Sequence, residues 1–285
     1  MSRRVYLVAL SALALLMPAS LAAADPDPTY RTITKADAAR AIELKAPVPD
    51  WYTPELHAKV VAAGKQGRTV PLPEGANVPA SSLAFTGIRP GAWILFPAGC
   101  TTNFVFGGGT SIGTAGHCTS PGDEVTLVAA PGVLMNIGTT RLSVDKGVGD
   151  DFALIDIYPE MQQYVNPSMS YFAGPTSAGD PQFGDAVVHS GHGLVIGTGG
   201  TPRAGVVTYR GPGDGGDAFG WVGEAMLGDS GSAVREVTGE AAGNLTHLVV
   251  GTDYLPSYIA GTSIARMQGY AGAVTTASLV PDPLW

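Results

Sequence analysis

Charged residues are scarce in this sequence and make up only 14% of its 285 residues. Glycine, in contrast, occurs 39 times. A composition with many glycines and few charges favours short strands and tight turns over long helices with charged surfaces. We therefore expect an all-β fold, and the chain is long enough for one large domain or two ordinary ones.

Runs rich in lysine or arginine are also missing, and the formal net charge is −8. Nucleic-acid binding draws most of its affinity from basic side chains, so we expect no nucleic-acid partner. No repeat with a period of about 20 to 50 residues is present, which argues against a solenoid or a propeller.

Long apolar runs are rare as well, and the clearest one lies at the N-terminus. The basic residues Arg3 and Arg4 precede an apolar stretch over Val5–Met17, and the small residues Ala22–Ala24 follow it. This order predicts a signal peptide over residues 1–24 and a secreted, extracellular protein. The alternative is a membrane anchor, but the stretch is shorter than the roughly 20 residues needed to cross a bilayer. We expect no membrane association after cleavage.

Cysteine is nearly absent, with Cys100 and Cys118 as the two examples. In an exported protein an even pair within one domain is typically oxidised, so we expect one disulfide. Two free buried thiols are the alternative.

Residues 25–81 differ in composition from the rest of the chain. Ala-rich amphipathic patterns at Lys35–Leu44 and Pro54–Lys65 predict two short helices, and a proline-containing stretch over 71–79 follows them. We interpret 25–81 as a pro-segment and linker, with the main domain over 82–285. Alternatively, these helices pack on that domain as part of it.

Short apolar runs bounded by glycine, proline, aspartate or asparagine follow this segment and predict strands. The runs are Ala92–Phe96, Val125–Ala129, Phe152–Ile157, Gly205–Tyr209 and His247–Gly251. Several short strands without long helices between them favour a barrel or a sandwich. One short helix is expected near the C-terminus, over Thr262–Tyr270.

Three segments carry residue types suited to nucleophilic catalysis: Thr114–Cys118 (TAGHC), Asp151–Ile155 (DFALI) and Gly228–Ser232 (GDSGS). Together they resemble the motifs of trypsin/chymotrypsin-like serine peptidases, in the order His, Asp, Ser, and the chain is similar to bacterial secreted members. The resemblance covers residue 91 to the C-terminus. It implies two antiparallel six-stranded β-barrels of the chymotrypsin type, divided near residue 170, with the site between them.

The chemistry of these residues supports the same interpretation. A serine hydroxyl is a poor nucleophile unless a base removes its proton during attack. His117 is the candidate base, because an imidazole exchanges protons near neutral pH, and Ser230 is the candidate nucleophile. Asp151 would hold the productive tautomer of the imidazole. This chemistry needs no metal and no cofactor.

The resemblance implies further roles around Ser230. The backbone N–H groups of Gly228 and Ser230 are expected to form an oxyanion hole. Asp229 is expected in a buried ion pair or hydrogen-bond pair that holds this turn, with a partner that the sequence does not identify. The resemblance also implies the disulfide between Cys100 and Cys118.

Two competing assignments concern other ionisable residues. Asp150 could replace Asp151 as the acid, but Asp151 directly precedes the Phe-Ala-Leu strand and matches the motif. His189 and His192 have a spacing that suits a metal, yet no nearby third ligand follows, so we expect a solvated turn and no metal site.

The substrate pocket is the least constrained part of the site. The resemblance implies that Glu224, six residues before Ser230, lies near the pocket floor, where it would select lysine or arginine. Alternatively, Glu224 lies on the surface, and Leu227 and Met226 shape an apolar pocket.

The expected function is a secreted serine endopeptidase, monomeric and made as a zymogen, that hydrolyses protein or peptide substrates through an acyl-enzyme. A protease-like binding protein without catalysis and a secreted esterase with the same three residues are the alternatives.

Overall fold

The structure is a computed structural model that describes residues 31–79, 83, 86–193, 200–253 and 257–276. The predicted signal peptide over 1–24 lies outside the described residues, as do residues 80–82 around the expected domain start. Most of the secondary structure in these ranges is β-strand, arranged as two mainly antiparallel sheets. The expected all-β architecture is confirmed.

The strands are β1 Arg31–Thr32, β2 Ala41–Glu43, β3 Val70–Pro71, β4 Trp93–Phe96, β5 Cys100–Thr101, β6 Val105–Phe106, β7 Ser111–Thr114, β8 Glu124–Ala129, β9 Val133–Asp145, β10 Asp151–Ile157, β11 Ala186–Gly191, β12 Thr201–Gly211, β13 Ala218–Gly223, β14 Ala233–Glu236, β15 Ala241–Asn244, β16 His247–Val249 and β17 Tyr258–Thr262. The α-helices are α1 Lys35–Ala38, α2 Pro54–Gly64 and α3 Ile264–Ala271, and 3-10 turns cover Gly116–Cys118 and Pro159–Tyr164.

The first sheet has eight strands, in the order β5-β4-β8-β9-β10-β7-β6 with β3 paired to β9. Strand β10 is buried on both faces because its side chains alternate between two apolar clusters. Phe152 and Leu154 pack with α3 residues on one side, whereas Ile155 and Ile157 pack into the interior of the first sheet on the other. This double burial fixes the register of the strand that begins with Asp151.

The second sheet has nine strands, in the order β15-β14-β11-β12-β13-β17-β16-β2 with β1 paired to β12. Its core contains stacked aromatic rings, Phe219 on Trp221 and Tyr209 on Tyr258. Both sheets have more strands than the six expected in each. Part of the excess comes from the N-terminal segment, which adds β1 and β2 to the second sheet and β3 to the first.

The N-terminal segment therefore packs on both sheets. Helix α2 begins at the N-cap Thr53 and Pro54, and its residues Val60 and Ala63 pack on the first sheet beside Trp93. The expected helix over Pro54–Lys65 forms almost in full.

The other helix expected in this segment, over Lys35–Leu44, is wrong beyond its first turn. Only Lys35–Ala38 is helical, capped by Thr34, and Ala41–Glu43 forms strand β2. Pairing of β2 with β16 satisfies the backbone groups in an extended conformation, and this long-range contact overrides the local helical pattern.

The expected C-terminal helix is present as α3, which begins after the N-cap Ser263. None of the helices in the described ranges is long and apolar enough to span a membrane.

Candidate active site

The three candidate catalytic residues meet between the two sheets. His117 lies in the 3-10 turn after β7, Asp151 is the first residue of β10, and Ser230 lies in the turn between β13 and β14. All three are buried, with 8% of His117 exposed and none of Asp151 or Ser230. The first sheet thus presents the imidazole and the carboxylate, and the second presents the hydroxyl.

Their side chains form a continuous hydrogen-bonded chain. His117 Nδ1 lies 2.6 Å from Asp151 Oδ2, and His117 Nε2 lies 2.8 Å from Ser230 Oγ. With Nδ1–H donating to the carboxylate, Nε2 carries the lone pair that can accept the serine proton. This arrangement is competent for general-base activation of the hydroxyl.

The carboxylate of Asp151 is held ionised despite its burial. Burial by itself would raise the pKa of Asp151, but the adjacent His117 and its hydrogen bonds hold that pKa below the ordinary value. The other carboxylate oxygen accepts the backbone N–H of Gly116 at 2.5 Å and that of His117 at 3.2 Å. These bonds fix the carboxylate plane relative to the ring.

The backbone of Asp151 is tied to the second sheet. Its N–H donates to Thr262 Oγ1 at 3.0 Å, and its carbonyl accepts from Asn244 Nδ2 at 3.1 Å. Asn244 Oδ1 in turn accepts the N–H of Thr262 at 3.1 Å. The two bonds of Asp151 cross from the first sheet to the second, and the bond between Asn244 and Thr262 holds their two partners together.

The neighbouring Asp150 faces a different part of the molecule. Its carboxylate accepts from Arg266 Nε at 2.9 Å, Arg266 Nη2 at 2.7 Å and Tyr270 Oη at 2.7 Å. Asp150 therefore joins the first sheet to α3, while Asp151 contacts the imidazole.

Two backbone N–H groups converge on one carbonyl oxygen beside Ser230. The N–H of Gly228 lies 2.5 Å and that of Ser230 lies 3.2 Å from the oxygen of Leu44. Gly228 has a φ of +106°, and a Cβ there would lie 2.3 Å from the oxygen of His192. Only glycine fits this conformation without strain, so the residue type is tied to the direction of the N–H.

The buried carboxylate of Asp229 holds the same turn. It accepts from Met226 N at 2.7 Å and from Gly193 N at 2.8 Å, and it forms an ion pair with Arg203 of β12. Arg203 is thus the partner that the sequence left unidentified. A fully paired buried carboxylate makes the turn rigid, and loss of the arginine would leave an uncompensated charge.

The residues expected to line the pocket have different surroundings. The side chain of Glu224 is exposed, and that of Leu227 is 40% exposed. The side chain of Leu44 is 4% exposed and belongs to the apolar cluster of the second sheet, with Ala225 packed against that cluster. The side chain of Leu44 is therefore packed in the apolar core of the second sheet.

The expected disulfide is present. Cys100 and Cys118 are joined, with their Cα atoms 6.3 Å apart. Cys118 follows the candidate base, and Cys100 precedes Thr101, whose N–H donates to the oxygen of Ser230 at 2.8 Å and whose Oγ1 donates to that of Gly228 at 2.8 Å. The bond thus connects the base turn to the strand that supports the nucleophile turn.

One further histidine lies beside the candidate base. The His247 ring centroid is 5.6 Å from that of His117, and its Nδ1 is 3.7 Å from Asp151 Oδ2. Burial lowers the pKa of His247, which favours the neutral ring. Glu43, His117 and His247 place ligand atoms within 4.8 Å of one another and are a possible metal site. A metal there would take the lone pair of His117 that the serine needs.

The prediction of a solvated turn for His189 and His192 is wrong. Both are buried, at 0% and 2% exposure, and the ring of His192 stacks on Trp93. Burial lowers the pKa of His189 to about 4 and that of His192 to about 3, and Arg203 adds to both shifts. Both rings are therefore neutral at ordinary pH.

Sequence reasoning did not find Arg203 or Leu44 and placed His247 only at the start of the expected strand His247–Gly251. No local motif marks these residues, because each contacts a site residue far away in the sequence. Arg203 lies 26 positions from Asp229, Leu44 lies 186 positions from Ser230, and His247 lies 96 positions from Asp151. The signal that could have identified Leu44 is the extended Ala-Ile-Glu-Leu run, which the helical interpretation of Lys35–Leu44 obscured.

A scan against protein-family models finds no match for this chain, and a search of curated proteins finds none either. Among solved structures the chain is similar to bacterial serine proteases. Thermobifida fusca protease A is 20% identical, with 68% of this chain and 99% of that chain covered and a TM-score of 0.49.

Two other structures are similar to the same degree. Nocardiopsis protease is 19% identical, with 67% of this chain and 98% of that chain covered and a TM-score of 0.49. A glutamic acid-specific serine protease, described as using a histidine triad in substrate binding, is 18% identical, with 66% and 100% covered and a TM-score of 0.49.

Proposed function

We propose that this chain is a secreted serine endopeptidase that hydrolyses peptide bonds through an acyl-enzyme. The observation that carries the proposal is the combination of the Asp151, His117 and Ser230 chain with two N–H groups directed at one carbonyl oxygen. A hydroxyl, its base and an oxyanion hole around one point are the parts that acyl transfer requires.

In the proposed reaction Ser230 Oγ attacks the substrate carbonyl while His117 Nε2 accepts its proton. The N–H groups of Gly228 and Ser230 stabilise the developing oxyanion, and loss of one such donor in a comparable site costs about 3 to 4 kcal/mol. Asp151 remains ionised and stabilises the imidazolium. His117 then protonates the leaving amine, and water repeats the sequence to release the acid.

The predicted signal peptide over 1–24 supports the proposal of secretion, and the disulfide fits an oxidising compartment. We also propose that residues 25–81 act as a pro-segment and linker for a domain over 82–285. The packing of α2 on the first sheet requires such a segment to leave a folded surface.

Labelling with a fluorophosphonate reagent, followed by peptide mass spectrometry, tests the nucleophile. We expect a single adduct on Ser230 and none in Ser230→Ala. Because the carbonyl of Leu44 occupies the oxyanion hole, the variant Leu44→Asp is labelled in parallel to open the site. Absence of an adduct in both folded proteins would rule out an activated serine and leave the non-catalytic binding protein.

Comparison of peptide and ester substrates then separates an endopeptidase from an esterase. Hydrolysis of internal peptide bonds that disappears in Ser230→Ala is the expected result. Ester hydrolysis alone would assign the same residues to an esterase.

A further inference from the structure

The N-terminal segment crosses the cleft between the sheets and passes the candidate nucleophile. On one side of the cleft, β2 pairs antiparallel with β16, with Glu43 opposite His247 and Ala41 opposite Val249. On the other side, Ala46 exchanges backbone hydrogen bonds of 2.7 and 2.8 Å with Gly99 of the first sheet. Leu44 and Lys45 lie between these anchors.

The backbone of Leu44 contacts each part of the reaction site. Its carbonyl oxygen accepts from Gly228 N at 2.5 Å and Ser230 N at 3.2 Å. Its N–H lies 3.0 Å from Ser230 Oγ and 3.4 Å from the oxygen of Thr246. The hydroxyl and the two N–H groups therefore contact the same residue, and its carbonyl oxygen is the one that the N–H groups bind.

The side chain of Leu44 identifies what the pocket accepts. It is 4% exposed and lies in the apolar cluster that contains Phe219, Trp221 and Leu245, with Ala225 packed against the cluster. Glu224, the acid expected at the pocket floor, is exposed at the surface instead. Burial of a large apolar side chain is favourable here, whereas a charged side chain would lose its hydration.

The residues flanking Leu44 have their own contacts. The ammonium of Lys45 lies 3.3 Å from the oxygen of His117 and 2.8 Å from the carboxylate of Glu43. Glu43 in turn lies near the rings of His117 and His247. Cleavage after Leu44 would release the backbone nitrogen of Lys45, and the side chain of Lys45 lies beside the candidate base His117.

We propose that the bond between Leu44 and Lys45 is the one that this site cleaves in its own chain. We further infer that the substrates are extended segments with a bulky apolar residue before the cut. Both inferences rest on the proposed endopeptidase function. Before cleavage, the segment excludes other substrates from the cleft.

The step is balanced by one water molecule. Ser230 Oγ bonds to the carbonyl carbon of Leu44 and its proton moves to His117. His117 returns the proton to the nitrogen of Lys45, the C–N bond breaks, and Leu44 remains as an ester on Ser230. Water then hydrolyses the ester, which gives a carboxylate at Leu44 and a free amine at Lys45.

The full chain, kept in acidic urea and then diluted into neutral buffer, tests the cleavage by intact mass and N-terminal sequencing. We expect a new N-terminus at Lys45, a rate that does not change with protein concentration, and no cleavage in Ser230→Ala. Leu44→Asp should lose at least about tenfold of the cleavage rate at this bond. Ile42→Asp, an apolar-to-acid change at a 49% exposed side chain of the same strand, should still be cut there.

A ten-residue peptide with the sequence of residues 39–48 tests the substrate class on cleaved enzyme. We expect cleavage after the leucine, and a value of kcat/KM at least about tenfold lower when Leu44 is replaced by Lys or by Glu. Equal or faster cleavage of the lysine peptide would overturn the assignment of apolar specificity.

Labelling of Ser230 separates the two levels of the proposal. If Ser230 is labelled but the bond stays intact, or is cut at a rate proportional to concentration, self-cleavage in the same chain is wrong and the endopeptidase remains. If neither the folded wild type nor Leu44→Asp is labelled, the endopeptidase itself is wrong. Circular dichroism of each variant identifies a failure to fold, and Lys45→Pro then tests the same bond without a change in the pocket.

Discussion

The two sheets contribute to the site in different ways. The first sheet provides two side chains, the imidazole of His117 and the carboxylate of Asp151, with His117 Nδ1 2.6 Å from Asp151 Oδ2. Each of the two lies in a contiguous sequence motif. The second sheet provides one side chain, the hydroxyl of Ser230, together with backbone, because the N–H groups of Gly228 and Ser230 act through the shape of one turn. That shape depends on Asp229 and on Arg203, 26 residues earlier.

This difference teaches where each half is vulnerable. A contribution from a side chain is lost when that residue is changed, and such a change leaves the fold in place. A backbone contribution is lost by changing a remote residue that holds the turn. The predictions below test this comparison.

Apart from removal of the nucleophile itself, the largest effect on activity is expected from the first sheet. Asp151→Asn keeps the packing but favours the wrong tautomer of His117, and the same change in a Ser-His-Asp enzyme lowers kcat about 10⁴-fold. The measurement is kcat with a leucine peptide.

Asp150→Asn is the matched control, because Asp150 contacts Arg266 and Tyr270 instead of His117. We expect a loss of about 1 kcal/mol in stability and a kcat within about threefold of wild type. A larger loss of kcat in the control would reverse the assignment of the two aspartates.

The second sheet is tested by Arg203→Met. This change leaves the buried Asp229 carboxylate without its cation, and we expect the free energy of unfolding to fall by about 3 to 5 kcal/mol. Urea unfolding measures this loss, and kcat should fall with it because the proposed oxyanion hole is built on the same turn.

The double variant Arg203→Met with Asp229→Asn removes both charges and should regain part of the stability. If the single and double variants unfold at the same urea concentration, the ion pair does not hold the turn.

Acid stability gives an intermediate effect. The folded-state pKa values of about 4 for His189 and about 3 for His192 lie below the ordinary value of 6.5, so the unfolded chain binds more protons between these limits. Stability is therefore complete above about pH 6.5 and falls as the pH drops, by at most about 1.4 kcal/mol per pH unit for each ring.

His192→Leu should reduce this slope, because it removes one of the two titrating rings. The described residues offer no hydrogen-bond partner to the ring nitrogens of His192, so the change removes no such bond. Urea unfolding at several pH values checks the slope. An unchanged slope would show that His192 is accessible to protons in the folded state.

The smallest effect is expected at Glu224, whose side chain is exposed. Glu224→Gln should change kcat/KM for leucine peptides by less than about twofold and the free energy of unfolding by less than about 0.5 kcal/mol. Loss of cleavage after lysine in this variant would support an acidic pocket that selects lysine or arginine, and would contradict the apolar pocket.

The all-β class, the short strands and the disulfide could be predicted, because the glycine content, the length of the apolar runs and the number of cysteines can be read directly from the sequence. The three candidate catalytic residues also stood in contiguous motifs. Strand β2 could not be predicted, since the helical pattern of Lys35–Leu44 yields to pairing with β16, which lies about 200 residues away. The burial of His189 and His192 was missed because neither residue type nor spacing reports which strands cover them.

The continuity of the chain across the cleft also affects when activity appears. While Leu44 and Lys45 remain joined, the segment is a tethered ligand with an effective concentration that dilution cannot change, and short flexible tethers give values in the millimolar range. A cut at this bond would turn the piece ending at Leu44 into a separate ligand. It would be held by β1 and β2, by contacts of Ile33 and Arg40 with the second sheet, and by the buried leucine. Its departure would then follow mass action, so activity would appear sooner in dilute solution than in concentrated solution.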